Sequence, residues 1–238
     1  MRFVSTADLP PPPWSSLREK RTPLSRERIA DAALAIVDAD GLGGLNMRRL
    51  ADELGTGPAS LYAHVSGKDE LLQLLIDRVA GEVPPVEPDP ERWQEQLKDY
   101  LRAVRGVLRA HRDLAGAALA NIPTGLNAIT AMEGMLGILR AGGLPDPVIA
   151  LAADLLPQYV NVEAYEGSLF EQRMEREPEY FEAIFEYFRA LPANRFPHFA
   201  SLADAMTDDL QDDDARFEFG IDVLVRGLAS FAEPPTRS

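Results

Sequence analysis

Between Leu45 and Lys68 the chain reads LNMRRLADELGTGPASLYAHVSGK, and this spacing of apolar residues around a glycine leaves few folds open. Met47, Leu50, Ala51 and Leu54 recur at i, i+3, i+4 and i+7, the spacing that puts side chains on one face of a helix. Asn46 is placed to cap that helix, because its side-chain oxygen can accept a bond from a first-turn N–H. Gly55 ends it, since the residue after a helix often takes positive φ. Pro58 suits the first turn of a second helix, where its missing N–H costs nothing. That helix is predicted to run to about Val65, with Leu61 and Val65 facing inward and Ser60, Tyr62, Ala63 and His64 outward. Two helices so short bury little alone, yet such a helix-turn-helix can hold its second helix firmly enough to enter a DNA major groove.

The neighbouring sequence supplies the support that such a pair needs. Ser25 is a good N-cap for a helix carrying Ile29, Ala32, Ala33, Ile36 and Val37, and Gly41 closes it. Ser66–Glu70 opens another helix, with Leu71, Leu72, Leu75 and Val79. Four helices by about residue 81 form one small bundle. The segment Val83–Pro90, VPPVEPDP, cannot continue a helix, and a domain boundary is expected there. The division is therefore a tail over 1–21 with the run Pro10–Pro13, a helical domain over 22–83, and a larger domain over 90–238. In the larger domain helical periodicity spans roughly Pro90–Ala110, Asp113–Ala120, Thr124–Ala141, Pro147–Phe170, Pro178–Ala190 and Ala215–Leu228. Asp204–Asp214 holds six aspartates and is expected to be a solvated loop, since a hard cation needs a shaped oxygen cage. No alternating strand pattern appears, and the fold class is all-α.

Composition narrows the function classes. The net charge of −14 looks hostile to nucleic acid. Residues 1–80, however, carry ten basic and eleven acidic side chains, which leaves 14 basic against 27 acidic for residues 81–238. The acidity belongs to the second part, and a local basic patch on the first can still meet phosphates. With three histidines, no cysteine and no glycine-rich phosphate loop, no catalytic arrangement has a reason behind its spacing. No cofactor or metal is expected. The absence of cysteine fits a reducing cytoplasm, and no apolar run approaches the length of a membrane span.

The wording LNMRRLADELGTGPASLYAHVSGKDELL, with the capped helix before it, resembles the TetR family of ligand-controlled repressors over about Thr22–Val83. Beyond the boundary, His111-Arg112-Asp113 with Pro123-Thr124, and Phe217, Gly220, Leu224, Arg226 and Gly227, are similar to the subgroup of the tetracycline repressor. The resemblance implies a DNA surface made of Asn46, Met47 and Arg48 on the first helix of the pair, Pro58, Ala59, Ser60, Tyr62, Ala63 and His64 on the second, and Lys68 at the start of the next. Within it, Arg48 would bond a guanine or a phosphate, Pro58–Ser60 would meet base edges, and Tyr62, His64 and Lys68 would serve mainly the backbone. Partners are then double-stranded DNA, a small-molecule effector and a second copy of the chain. For the dimer, Leu155 and Tyr159 on one helix and Phe217, Ile221, Leu224, Val225 and Leu228 on another are the candidates, an intrachain core being the alternative for them. For the effector pocket they are Met132, Met135, Gln158, Asn161, Tyr165 and Phe170. The chain departs from the subgroup where a metal-ligating histidine follows the His-Arg-Asp triplet: Leu114–Leu119 reads LAGAAL, with Ala118 at that position, and Gly134 stands where the tetracycline site has glutamine. A ligand other than magnesium-tetracycline, larger or more apolar, is expected. The function implied is a homodimeric repressor released from a near-palindromic operator by that ligand, a ligand-responsive activator or a binding module without DNA affinity being the alternatives.

Overall fold

The computed structural model describes residues 23–111, 113–209 and 213–232, and among these all regular structure is helical. Eleven α-helices follow in order: α1 Arg26–Asp40, α2 Met47–Glu53, α3 Pro58–Tyr62, α4 Lys68–Ala80, α5 Trp93–Ala110, α6 Leu114–Leu119, α7 Leu126–Ala141, α8 Asp146–Arg176, α9 Pro178–Arg189, α10 Pro197–Asp209 and α11 Asp213–Ala229. The tail over 1–21 and Arg112 lie outside the described residues.

The caps expected from sequence are in place. Ser25 Oγ accepts from the Arg28 N–H at 3.3 Å, and Asn46 Oδ1 from the Arg49 N–H at 3.0 Å. After α2, Gly55 sits at φ 63°. There the Thr56 N–H bonds the Ala51 carbonyl at 2.9 Å while the Gly55 N–H bonds that of Asp52 at 3.1 Å, the paired closure of a Schellman motif. Helix α3 is shorter than the periodicity predicts. It ends at Tyr62, and bonds from the His64 and Val65 N–H groups to the Leu61 carbonyl, 2.8 and 2.9 Å, tighten the following residues into a turn.

Two hydrophobic cores share the molecule. The first joins Ile29, Ala33 and Val37 of α1 to Leu50, Leu61, Leu71 and Leu75, and it takes in Leu114 and Ala117 of α6. The second joins Trp93, Leu97 and Leu101 of α5 to Ile138, Leu156 and Val160, and to Phe217, Ile221, Val225 and Leu228 of α11. These last four are therefore not surface residues. Each is buried in the protomer's own core, the alternative held open for them; Tyr159 and Leu224 are half-buried against that core, and Leu155 is exposed. Helical phase is the reason: an apolar side chain one turn from its neighbour belongs to the same buried stripe, whichever molecule covers it. The outward stripes carry Leu151, Leu155 and Val162 on α8, and Phe219 and Val223 on α11.

The acidic stretch also differs from expectation. Its first part closes α10 and its last part opens α11, where Asp213 accepts from both Arg105 and Arg109 and Asp214 accepts from Arg105 at 2.7 Å. Phe199 and Ala203 supply an inward apolar face that holds α10 on α9, with the Phe199 ring 5.1 Å from Phe188.

Candidate nucleic-acid interface and ligand cavity

The reading surface is built from one buried residue outward. Leu61 is the single buried side chain of α3 and anchors the helix in the first core, which turns Pro58, Ala59, Ser60, Tyr62 and Ala63 to solvent. Tyr62 is 55% exposed. Arg26 on α1 clamps the far end of this helix: its guanidinium donates to the His64 carbonyl at 2.8 Å and pairs with Glu70 of α4 at 2.6 Å. Glu70 in turn accepts from the Ser66 N–H and hydroxyl, and these bonds, with Arg26, pull its carboxyl down to about 2. The turn between α3 and α4 is thus held from three sides without using Tyr62 or Lys68. His64 is half-buried, its carbonyl taken by Arg26.

The first helix of the pair divides its labour. Asn46 is spent on the cap and Met47 packs against the first core, so neither side chain is wholly available at the surface. Arg49 turns back to pair with Asp40. Arg48 projects to solvent with no ion pair among the described residues, and Lys68 is likewise exposed. Two cations and a phenol are left flanking the exposed edge of α3, a combination suited to phosphate and base-edge contacts.

The second site is a partly open cavity of about 140 Å³ lined by α4, α5, α6, α7 and α8. Its wall is almost wholly apolar, with Ile76, Val79, Val104, Met132, Met135 and Val160 prominent. Asn161 and the Tyr100 ring bring the few polar atoms; the Tyr100 hydroxyl donates to the Ala131 carbonyl at 2.5 Å, and burial pushes its pKa up to about 12. Of the six pocket candidates, Met132, Met135 and Asn161 line this cavity. Gln158, one residue past Pro157, is rotated about 100° away onto the outer face of α8. Tyr165 lies over Gly116 of α6, where a Cβ would come within 2.7 Å of its ring, and Phe170 packs on Phe181 of α9 at 4.6 Å. Those three do not line this cavity: the long α8 carries them past or around it. Ala118 does form part of the wall, and Gly134 lines an adjoining groove, so both positions that depart from the tetracycline subgroup border these two hollows.

Helix α4 belongs to both sites, beginning at Lys68 and ending where Ile76, Val79 and Ala80 face the cavity. Three contacts that the sequence did not disclose tie α4, α1 and the turn after α1 to α7 and to the residues that precede α6. Asp77 caps α7 from a distance, accepting from the Ala128 N–H at 3.0 Å; Gly125 is needed there, because a Cβ would lie 2.1 Å from the Asp77 carboxyl. Asp113, at φ 62°, accepts from the Leu42 N–H at 3.0 Å. His111 donates from Nδ1 to Asp38 of α1 at 3.0 Å and from Nε2 to Glu82 at 2.9 Å, which requires the doubly protonated ring. Burial acts to lower the His111 pKa, but the bonds to Glu82 and Asp38 outweigh it and leave the value above the ordinary 6.5. A raised folded value means that this contact stabilises fully below pH 6.5 and is lost as pH rises through the folded value. Thermal stability of the native chain is expected to fall through that interval relative to a His111→Asn variant, in parallel pH series of melting curves; two superimposable profiles would discount the pin.

The comparisons agree with this two-site arrangement. Residues 29–75 match the model "Bacterial regulatory proteins, tetR family", and residues 87–231 match "Tetracyclin repressor-like, C-terminal domain". The HTH-type transcriptional repressor DrrR1 of Streptomyces coeruleorubidus is 35% identical over 220 residues, covering 89% of this chain and 79% of its own. Among solved structures, the TetR family protein ActR of Streptomyces coelicolor in complex with actinorhodin superposes with a TM-score of 0.83 at 44% identity, covering 89% of this chain and 98% of that one. BioQ bound to its double-stranded DNA operator superposes at 0.62 with 25% identity, covering 87% and 99%. No helix among the described residues is long and apolar enough to cross a membrane. An exposed α3 seated on a helical bundle, an apolar chamber bordered by α4 and the match of both family models place this chain in the TetR family of transcriptional regulators, with a tetracycline-repressor-like C-terminal domain.

Proposed function

We propose that the chain is a transcriptional repressor that binds a near-palindromic operator as a homodimer and leaves it when a small apolar molecule enters the cavity. The observation that carries this reading is α4: one end bears Lys68 beside the exposed edge of α3, and the other forms cavity wall. A ligand that wedges against Ile76 and Val79 moves the helix whose Glu70 holds Arg26, the residue that clamps the end of α3. The ActR complex with actinorhodin and the BioQ operator complex support the two halves of the scheme in related proteins.

One α3 reads only a few base pairs, so a second copy is needed to present another α3 about 34–36 Å away in the next major groove. The outward apolar stripes of α8 and α11 are the surface for it, with Phe219 at 73% and Leu151 at 74% exposure where a lone protomer would leave them in water. Ligand binding then favours a dimer whose two reading helices no longer match that spacing, with coupling on the order of 1–3 kcal/mol.

Arg48→Ala and Tyr62→Ala test the reading. Operator fragments selected from random DNA by the native protein would be titrated by fluorescence anisotropy, with sedimentation confirming an unchanged oligomer. Each variant is expected to weaken binding about 5- to 150-fold, as the loss of one base or phosphate contact worth about 1–3 kcal/mol implies. Affinity unchanged over a range of salt would remove α3 and its flanking cations as the reading surface.

A further inference from the structure

A second hollow, a groove of about 510 Å³, runs between the proline strap 84–88 and α7. It adjoins the cavity: Ala80, Val83, Tyr100 and Ala131 line both, and the Tyr100–Ala131 hydrogen bond forms the sill between them. The strap approaches α7 closely because Gly134 and Gly137 face it; a Cβ at Gly137 would come within 2.9 Å of Pro88, and one at Gly134 within 3.3 Å of Val86.

The two chambers differ in chemistry. Where the cavity is apolar, the groove brings in Asn127, Thr130 and Glu133 from successive turns of α7. What these three offer is mainly acceptors. The Thr130 hydroxyl hydrogen is committed to the Leu126 carbonyl at 2.8 Å, and Asn127 Nδ2 is turned toward Asp77 at 3.4 Å. Glu133, exposed and without an ion pair among the described residues, is the one charged side chain in the lining. A carboxylate entering here would meet acceptors and a like charge, whereas a protonated amine brings three donors and the opposite charge.

We propose that the effector is an amphipathic molecule whose apolar body occupies the cavity and whose donor-bearing end, an ammonium group, lies in the groove against Glu133. This rests on the cavity being the effector site, and it adds a polar end to that site and a sign to the ligand's charge. Its length follows as well, for the molecule must cross the sill at Tyr100 to reach both chambers.

Three fluorescent probes with one ring system test it on the full-length protein without DNA: dansylamide, with no tail, dansylcadaverine, with an amine tail, and dansyl-aminohexanoate, with a carboxylate tail. Emission rises when the dansyl ring enters an apolar site, and each is titrated against the native chain and Glu133→Gln. The amine-tailed probe is expected to bind the native chain about three- to fivefold more tightly than the carboxylate-tailed one, the size of a partly solvated ion pair. That margin should close in E133Q and shrink with added salt, while dansylamide binds both proteins alike. Equal affinities of the two tailed probes for the native chain, or an amine preference that survives E133Q, would overturn the proposal and leave the cavity standing. Failure of dansylamide itself to bind would remove the cavity as a ligand site, and with it the effector half of the proposed function.

Discussion

Replacing Arg105 by alanine is expected to destabilise the fold by about 3 kcal/mol, at the lower end of what breaking a buried ion pair costs. Arg105 is the one buried charged residue among those described. Its guanidinium pairs with Asp213 and with Asp214, donates to the Asp213 carbonyl at 3.2 Å and lies 4.5 Å from the Phe217 ring centre. Truncation leaves the half-buried Asp213 with Arg109 alone and opens a void beside Phe217, which is 1% exposed at the heart of the second core. It also takes one cation from the neighbourhood of Glu163, whose carboxyl is already raised by burial and whose Oε2 has no hydrogen-bond partner among the described residues. Urea unfolding followed by circular dichroism measures the loss directly. Because Arg105 is buried and Asp213 half-buried, while Asp214 is exposed, salt should remove only the Asp214 share of the loss. A change below about 1 kcal/mol, the range of an exposed pair, would mean that the Arg105 contacts add little to the apolar packing and to the Arg102–Glu218 and Lys98–Asp222 pairs that also hold α5 on α11.

Leu61→Ala is expected to have the largest effect on the first core, about 2–5 kcal/mol for a fully buried leucine truncated at a site that cannot collapse. Leu61 is 0% exposed and is the one inward anchor of a five-residue helix. With the anchor shortened, Pro58–Ser60 and Tyr62 lose their fixed presentation even where the bundle remains folded. Operator binding at a temperature well below the variant's melting point should therefore fall by more than the folded fraction accounts for. Leu61→Met, which conserves volume, should cost less than about 1.5 kcal/mol and largely restore binding. If L61A, while folded, binds DNA as the native chain does, α3 is positioned by the Arg26 clamp and not by its buried face.

Local features of the fold were legible in the residues. Ser25, Asn46 and Gly55 mark helix ends because the requirement they meet, an unpaired N–H or a positive φ, arises within a few residues. The same holds for the outward phase of Tyr62, since one buried leucine settles the rotation of a short helix. Helix α10 was missed because its aspartates outweighed the apolar spacing of Phe199 and Ala203. What covers the apolar stripe of α11 was illegible for a related reason. Periodicity identifies an apolar stripe on α11, but Phe217, Ile221 and Val225 look the same whether α5 or a second molecule covers them.

The sequence by itself determined that the chain is helical, that a helix-turn-helix lies between residues 45 and 68, and that the C-terminal part lacks the histidine and glutamine of the tetracycline site. Each of these depends on spacing within a turn or two, or on which residue stands at one position. Only the tertiary structure decided that Arg26 clamps the His64 carbonyl 38 residues away and that Arg102 reaches Glu218 across 116. It alone showed that His111 joins α1 to the end of α4, and that Ala118 and Gly134 face an apolar chamber and an acceptor-lined groove. The physical reason is that long-range ion pairs and cavities are set by how whole helices pack, and packing selects among partners that are chemically equivalent in the linear chain.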